Sequence, residues 1–294
     1  EYIKGGVNLG YEKESVKNEV EHCAFTIDQD YHIHTRLSTC SSDPEQTPER
    51  ILQYAKKYHL KKVCLTDHLW DDEVPGASDW YKPQNIAHIR ESLPLPKDDE
   101  VAMYFGCETE MDRNYTLGLA EENFELFDFI IVPTTHLHMR GFTITDEEWD
   151  SIDKRRELVV NRFYHLLEQH YPFHKMGLAH MTCTLAAGYD DQWNNHLKLF
   201  GGISDDVYTD MFKKAAKVGI GIELNAPIRQ YNERELDIIL RPYLIAKECG
   251  CKFYFGSDAH IPSQLESAYA DFETWIKLLN LTEDDKFERF AVAL

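Results

Sequence analysis

Apolar runs that end in a histidine or a carboxylate recur seven times along this chain. The runs cover residues 24–27, 62–65, 101–105, 127–132, 175–178, 218–222 and 251–255. Each is typical of a buried strand, so the polar groups are expected where strands end. In a parallel barrel the carboxyl ends of all strands lie on one face, where these groups would meet.

Segments with a helical period lie between the apolar runs. Thr47 can cap a helix that has Pro48 at its first position, and Thr145 and Glu148 have the spacing of a capping box. The expected helices cover residues 48–59, 145–169, 204–217, 233–249 and 263–279. Pro242 is expected to kink or divide the fourth of them. Strands that alternate with helices predict an α/β fold with right-handed crossovers, and about seven such units can close a barrel.

Residues 69–99 form a long connection with four prolines and the aromatic side chains of Trp70, Trp80 and Tyr81. A connection of this length is expected to be an ordered lid or pocket wall above the site. Residues 1–20 indicate an N-terminal extension with weak structure, and residues 21–294 indicate a single domain.

The charge and cysteine content narrow the class of protein. The 51 acidic and 31 basic residues give a formal net charge of −20, which disfavours nucleic acid as a partner. Seven cysteines without the spacing of a small crosslinked scaffold indicate a reducing compartment. No apolar run approaches a membrane span, and residues 1–26 are too acidic and polar for a signal peptide. A cytoplasmic enzyme that does not bind membranes is therefore expected.

His32 and His34 are the first candidate metal ligands. Alternate residues of a strand share a face, so both imidazoles can reach one ion. Such a pair is by itself more often incidental than metal-binding. Histidines and carboxylates at the ends of six further strands favour a metal site, because buried charged groups need partners or a metal.

The motifs that carry these residues resemble those of the PHP (polymerase and histidinol phosphatase) family of metal-dependent phosphoesterases. The resemblance covers nearly all of residues 27–262. It rests on Asp30-Tyr31-His32-Ile33-His34-Thr35, Leu65-Thr66-Asp67-His68, Glu108 with the later histidine segments, and Gly256-Ser257-Asp258-Ala259-His260. It implies a distorted (β/α)7 barrel with two or three divalent ions, Zn, Mn or Fe, at the C-terminal ends of the strands.

The resemblance also implies a set of ligands for each ion. The first ion would have the ligands His32, His34, Glu108 and Asp258. The second would share Glu108 and add His136 and His180. The third would use His68, His260 and the position six residues after His34, which is Cys40 in this sequence.

Two of these assignments leave alternatives open. Many relatives carry histidine or aspartate at the position of Cys40, where a thiolate would favour zinc or a softer metal. Cys40 is otherwise a small buried residue, with Asp43 as the ligand or with the third ion absent. His136 is preferred to His138 because it lies where the family ligand falls, and His138 then contacts substrate or supports a ligand.

Glu223 and Asn225 end another strand. Either residue can hydrogen-bond and so orient a metal-bound histidine, and Asn225 can equally be a turn residue. The remaining histidines lie on predicted helices or connections and are expected at the surface or in packing.

Clustered divalent ions activate water for in-line attack on a phosphoester, so no protein nucleophile is required. Asp67, Asp258 or His260 would then pass a proton to the leaving alcohol. Phosphate binding calls for fixed positive charge, and the candidates, led by the first, are Arg36, Arg140 and Arg229.

The expected function is hydrolysis of a small phosphomonoester, with histidinol phosphate as the best-motivated substrate. The alternatives are a phosphodiesterase or nucleotide-processing exonuclease, a metal-dependent amidohydrolase, and a barrel that binds metal without catalysis. The oligomeric state stays open.

Overall fold

Parallel strands alternate with helices in the computed structural model, which describes residues 24–41, 43–225 and 227–290. The expected N-terminal extension lies outside the described residues. The strands are β1 Gln29–Ile33, β2 Lys62–Leu65, β3 His68–Leu69, β4 Ala102–Phe105, β5 Cys107–Thr109, β6 Ile130–Pro133, β7 Met176–Ala179, β8 Gly221–Asn225 and β9 Lys252–Gly256. The α-helices are α1 Pro48–Lys57, α2 Ile86–Ile89, α3 Asp146–Trp149, α4 Ile152–Leu167, α5 Gln192–Gly201, α6 Asp205–Val218, α7 Glu233–Glu248 and α8 Pro262–Leu279.

The strands form two parallel sheets that continue into one another. One sheet has the order β1-β2-β4 and the other the order β3-β5-β6-β7-β8-β9. Only two residues separate β2 from β3, and Gly106 alone separates β4 from β5. Past the end of β9, Asp258 N donates to His32 O at 2.8 Å and His34 N donates to Ala259 O at 3.1 Å. Within the described residues the strands therefore follow one another in a distorted ring of seven, as predicted.

The first strand begins later than the apolar pattern predicts. Ala24 forms only an isolated antiparallel bridge with Thr282, and the strand starts at Gln29. Asp30 is fully buried in this strand because its carboxylate accepts hydrogen bonds from Tyr54 Oη at 3.1 Å and from Ser257 N at 3.0 Å. A polar residue in this strand therefore does not mark its end, because Asp30 has buried hydrogen-bond donors within the core.

The helices differ from the prediction at three places. The segment expected at 145–169 is divided, because Ser151 caps α4 by accepting from Lys154 N at 3.2 Å. Helix α7 is not divided at Pro242, so of that prediction only a kink remains, and the buried residues Ile239, Tyr243 and Ala246 lie on either side of the proline. Helix α5 was not predicted. Packing against the core thus overrides the local preference for a break at proline.

The connection over 69–99 is ordered, as expected. It contains α2 and a 3₁₀ turn at Arg90–Ser92. Trp70 is 1% exposed, and its ring packs against Phe142 with centroids 5.1 Å apart. Gly118 makes this packing possible, because a Cβ atom there would lie 2.6 Å from the Trp70 ring.

No helix among the described residues is long and apolar enough to cross a membrane. The six cysteines in this part of the chain are all free thiols.

Candidate metal centre

Imidazole and carboxylate groups from the ends of the strands converge on one side of the ring. His32 and His34 lie on or just after β1, His68 starts β3 and Glu108 lies in β5. The later strands contribute His136, His180, Asp258 and His260 from the residues that follow them. The sequence places polar residues where strands end, and the parallel topology brings those ends together.

The centre of the cluster is built around the His-x-His pair. The Nε2 atoms of His32 and His34 lie 3.0 Å apart. Glu108 Oε2 lies 3.5 Å from the first and 3.3 Å from the second, and Asp258 Oδ1 lies 3.4 and 3.2 Å from them. Both imidazoles are fully buried. Two nitrogen and two carboxylate ligand atoms therefore face one small volume.

These residues fit divalent cations. Glu108 Oε2 and His68 Nδ1 lie 2.9 Å apart, yet both are buried atoms without a hydrogen-bond partner. Three sets of side chains bring their ligand atoms within 4.8 Å of one another: His32-His34-Glu108, His34-His68-His260 and His136-His180-Cys183. Imidazole with carboxylate suits Zn, Mn and Fe.

The electrostatics of the cluster favour positive charge. Burial disfavours a charged His32, but the carboxylates around it, foremost Glu223, outweigh burial and raise its pKa. Burial likewise opposes ionisation of Glu108, yet the charges of His68 and His32 hold its pKa well below its usual range. The pKa of Asp258 is lowered in the same way, against burial, by His32 and by a hydrogen bond from His34. A cation would satisfy the same carboxylates.

Glu223 holds two of the histidines in place. It is fully buried on β8, its Oε1 lies 2.6 Å from His32 Nδ1, and its Oε2 accepts a hydrogen bond from His180 N. Gly256 leaves room for it, because a Cβ atom at that position would lie 1.8 Å from Glu223 Oε1. Outer hydrogen bonds of this kind fix the orientation of metal-binding histidines.

A second buried carboxylate supports His136, and sequence reasoning missed it. Glu110 Oε2 lies 2.9 Å from His136 Nδ1, and Glu110 Oε1 accepts from Arg162 Nη2 at 3.0 Å. Arg162 is buried on α4 and also donates to Met111 O at 2.7 Å. Glu110 lies two residues after Glu108, which is a signal in the sequence, whereas nothing near Arg162 indicates this contact.

Two of the proposed ligands have strained backbones. The φ angle is 24° at His180 and 52° at Asp258, in the left-handed region that non-glycine residues rarely adopt. Strain of this kind persists only where the surrounding structure over-determines a residue, and it clusters at functional sites.

Two cavities open from the cluster and share His136, His180, Asp258 and His260 among their walls. The larger has a volume of about 590 Å³ and the aromatic side chains Trp80, Tyr81, Phe142 and Tyr189. The smaller has a volume of about 340 Å³ and neutral polar groups that include Thr182, Asn225 and Gln230.

The family model for the PHP domain matches residues 30–226. The chain belongs to the PHP family. The histidinol phosphate phosphatase of Lactococcus lactis subsp. lactis Il1403, solved with zinc, L-histidinol and phosphate, is similar in fold. It has 15% sequence identity and a TM-score of 0.57, over 88% of this chain and 98% of that chain.

Two further structures are less similar. A chain of archaeal ribonuclease P with mature tRNA has 14% identity and a TM-score of 0.36 over 90% of this chain and 94% of that chain. A hypothetical α-L-fucosidase of Bacteroides thetaiotaomicron VPI-5482 has 13% identity and a TM-score of 0.36, over 96% of this chain and 100% of that chain. No curated protein matches the sequence significantly.

Within this PHP site, Asp67 does not line either cavity. Its carboxylate accepts hydrogen bonds from Thr35 N, Thr35 Oγ1 and Ser38 Oγ, each at 2.7 Å. Ser38 Oγ in turn lies 2.8 Å from His34 Nδ1. Asp67 is thus placed to orient His34.

The structure also places the residues that the PHP motifs left open. Cys40 lines the larger cavity but joins none of the three sets of ligand atoms, and Asp43 Oδ1 accepts from Glu45 N at 2.9 Å in a local turn. His136 lies in the cluster. His138 lines the larger cavity, where its Nδ1 is buried without a partner and burial lowers its pKa to about 3.

The three candidate phosphate-binding arginines have different surroundings. Arg140 lines the larger cavity, although its Nε donates to Asp146 at 2.7 Å. The Arg229 guanidinium pairs with Asp271 at 3.1 Å, and Arg36 is exposed and lines neither cavity. Arg140 is therefore the best placed of the three.

Proposed function

We propose that this protein is a metal-dependent phosphatase that hydrolyses a small phosphomonoester. The observation that carries the proposal is the convergence of His32, His34 and His68 on the buried Oε2 of Glu108, an atom that accepts no hydrogen bond. The proposed ligands are His32, His34, His68, Glu108, His136, His180, Asp258 and His260. Two or three bound Zn, Mn or Fe ions would supply an activated water and neutralise the charge of the phosphoryl group.

The chain's own groups orient the ligands and handle protons. Glu223 and Glu110 hold the imidazoles, as described above. Asp258 and His260 are 29% and 22% exposed and line both cavities, so we assign to this pair the relay of a proton, which it would accept from the attacking water and pass to the leaving alcohol. Asp67 is a positioning residue in this scheme, because hydrogen bonds from Thr35 and Ser38 occupy its carboxylate.

Histidinol phosphate is the first substrate to test. The similar Lactococcus lactis enzyme was solved with histidinol and phosphate. The aromatic wall of the larger cavity, formed by Trp80, Tyr81 and Phe142, can pack against a flat ring. Arg140 would contribute positive charge near the phosphate.

The proposal is tested by elemental analysis of the purified protein together with phosphate release from a panel of phosphomonoesters. We expect two or three Zn, Mn or Fe ions per chain and turnover that a chelator abolishes and added metal restores. Glu108→Gln should reduce turnover by more than the roughly 10- to 100-fold typical of losing an outer partner of a ligand. Glu157→Gln, at an exposed residue of α4, is the matched control. Bound metal without phosphate release from any ester would overturn the proposal.

A phosphodiesterase is the second candidate, and the paired cavities favour it. A diester carries a group on each side of phosphorus, and cavities of about 590 and 340 Å³ meet at His136, His180, Asp258 and His260. A bis-aryl phosphodiester in the same panel distinguishes the two: faster turnover of the diester than of the matching monoester would favour this candidate.

A small-molecule phosphoester is the partner that we propose, and the net charge of −20 disfavours nucleic acid. The free cysteines support a cytoplasmic location.

A further inference from the structure

Cys183 lies beside two of the proposed ligands, although the motifs give it no role. It follows His180 by three residues, and its sulfur lies within 4.8 Å of the ligand nitrogens of His136 and His180. It also lines the smaller cavity together with these two histidines. An ion that entered from this cavity would meet all three side chains.

The local backbone fixes the sulfur in this position. Cys183 N donates to His180 O at 2.9 Å, which closes a turn between the two residues. Cys183 then caps the 3₁₀ helix Thr184–Ala187, with its sulfur accepting a hydrogen bond from Leu185 N at 3.3 Å. These two backbone contacts hold the sulfur on the side of the turn that faces the two imidazoles.

Cys40, the cysteine that the motifs single out, has a different environment. It lines the larger cavity but joins none of the three sets of ligand atoms. Of the described cysteines, Cys183 alone belongs to such a set. Ligation by Cys183 would therefore place sulfur on the ion of His136 and His180, whereas ligation by Cys40 would place it on the ion of His68 and His260.

We propose that Cys183 is a sulfur ligand of the ion held by His136 and His180, and that it biases this position towards zinc. The inference rests on the proposed metal-dependent function. On binding, the thiol loses its proton to solvent and a sulfur–metal bond forms, without any change in oxidation state. A thiolate beside two imidazoles suits zinc better than it suits manganese.

Cobalt(II) substitution of the metal-free protein is the test, because it reports sulfur ligation independently of activity. We expect a sulfur-to-cobalt charge-transfer band in the near ultraviolet for the wild type. Cys183→Ser should lose this band, and Cys40→Ser, the matched control, should keep it. Serine can still accept from Leu185 N as a cap, so the variant retains its local structure. Competition with a chelator should show a loss of zinc affinity for Cys183→Ser that exceeds the roughly 10- to 100-fold typical of losing an outer partner of a ligand.

The outcomes separate this inference from the proposed function. Cobalt that binds and restores phosphatase activity without a sulfur band would overturn the role of Cys183 and leave the phosphatase standing. A band lost in Cys40→Ser and kept in Cys183→Ser would also overturn it. Failure to bind cobalt or zinc at all would overturn both proposals.

Discussion

Replacing Glu223 by glutamine should weaken metal binding without unfolding the protein. The carboxylate serves two buried donors, His32 Nδ1 at 2.6 Å and His180 N. Glutamine has one carbonyl oxygen and one NH₂ group. Its oxygen can accept from one of these donors only, and its NH₂ group then faces the remaining donor, which has no acceptor. Both histidines are proposed ligands, and the change leaves one of them wrongly oriented.

The size of the effect follows from these two contacts. A buried donor left without its acceptor costs about 1–3 kcal/mol. Loss of an outer partner of a metal-binding histidine reduces metal affinity by roughly 10- to 100-fold, which corresponds to about 1.4–2.8 kcal/mol. The first cost lowers the stability of the fold, and the second sets the expected binding: a dissociation constant for zinc about 10 to 100 times that of the wild type.

The assay is competition for zinc between the protein and a chromophoric chelator, with circular dichroism as the check on folding. Glu157→Gln, at an exposed residue of α4, controls for the loss of one negative charge. A folded Glu223→Gln variant whose zinc affinity lies within about twofold of the wild type would refute the role assigned to Glu223.

Three further predictions concern stability and substrate binding. Gly256→Ala should lower the free energy of unfolding by about 1–3 kcal/mol or more, because the new Cβ would lie 1.8 Å from Glu223 Oε1. Denaturant titration should show that Glu223→Ala relieves part of this loss in the double variant, whereas Gly201→Ala, whose nearest neighbour lies 3.6 Å away, is tolerated. Burial raises the pKa of Asp30 to about 7, so the folded protein holds a proton that the unfolded chain has released. The free energy of unfolding of the metal-free wild type should therefore fall as the pH rises from 5 to 7, by up to about 1.4 kcal/mol per pH unit, when compared with Asp30→Asn. Parallel pH profiles for the two proteins would contradict this. Trp80→Ala should raise KM for aromatic phosphoesters about 2- to 12-fold in steady-state assays and leave KM for aliphatic ones unchanged, and an equal effect on both would exclude ring packing.

The residues that the sequence identifies best are those whose position along a strand decides their role. His32 and His34 share a face because strand residues alternate, and Glu108 and Asp258 follow apolar runs that can be read directly. The structure brings all of them together. Local strand geometry accounts for the His-x-His pair alone, whereas the parallel topology and the resemblance to the PHP motifs were needed to place Glu108 and Asp258 beside it.

Residues that reach the site from elsewhere could not be predicted in this way. Arg162 contacts Glu110 across 52 positions from the buried face of α4, where arginine gives no periodic signal. Cys183 reaches His180 through a turn and a strained backbone, and its spacing is not that of a strand. Tertiary contacts of this kind are fixed by packing between elements, which hydrophobic patterns do not encode.

The junction between β1 and β9 would tie the proposed metal binding to the completion of the fold. Asp258 N donates to His32 O and His34 N to Ala259 O, so the first and last motifs form one structure although more than 220 positions separate them. The complete ligand set cannot exist on a partly synthesised or open chain. An ion that binds only the closed ring stabilises it, by about 2.7 kcal/mol when the free ion is at 100 times its dissociation constant. Metal supply would then set how long the protein survives in the cell, as well as how fast it works.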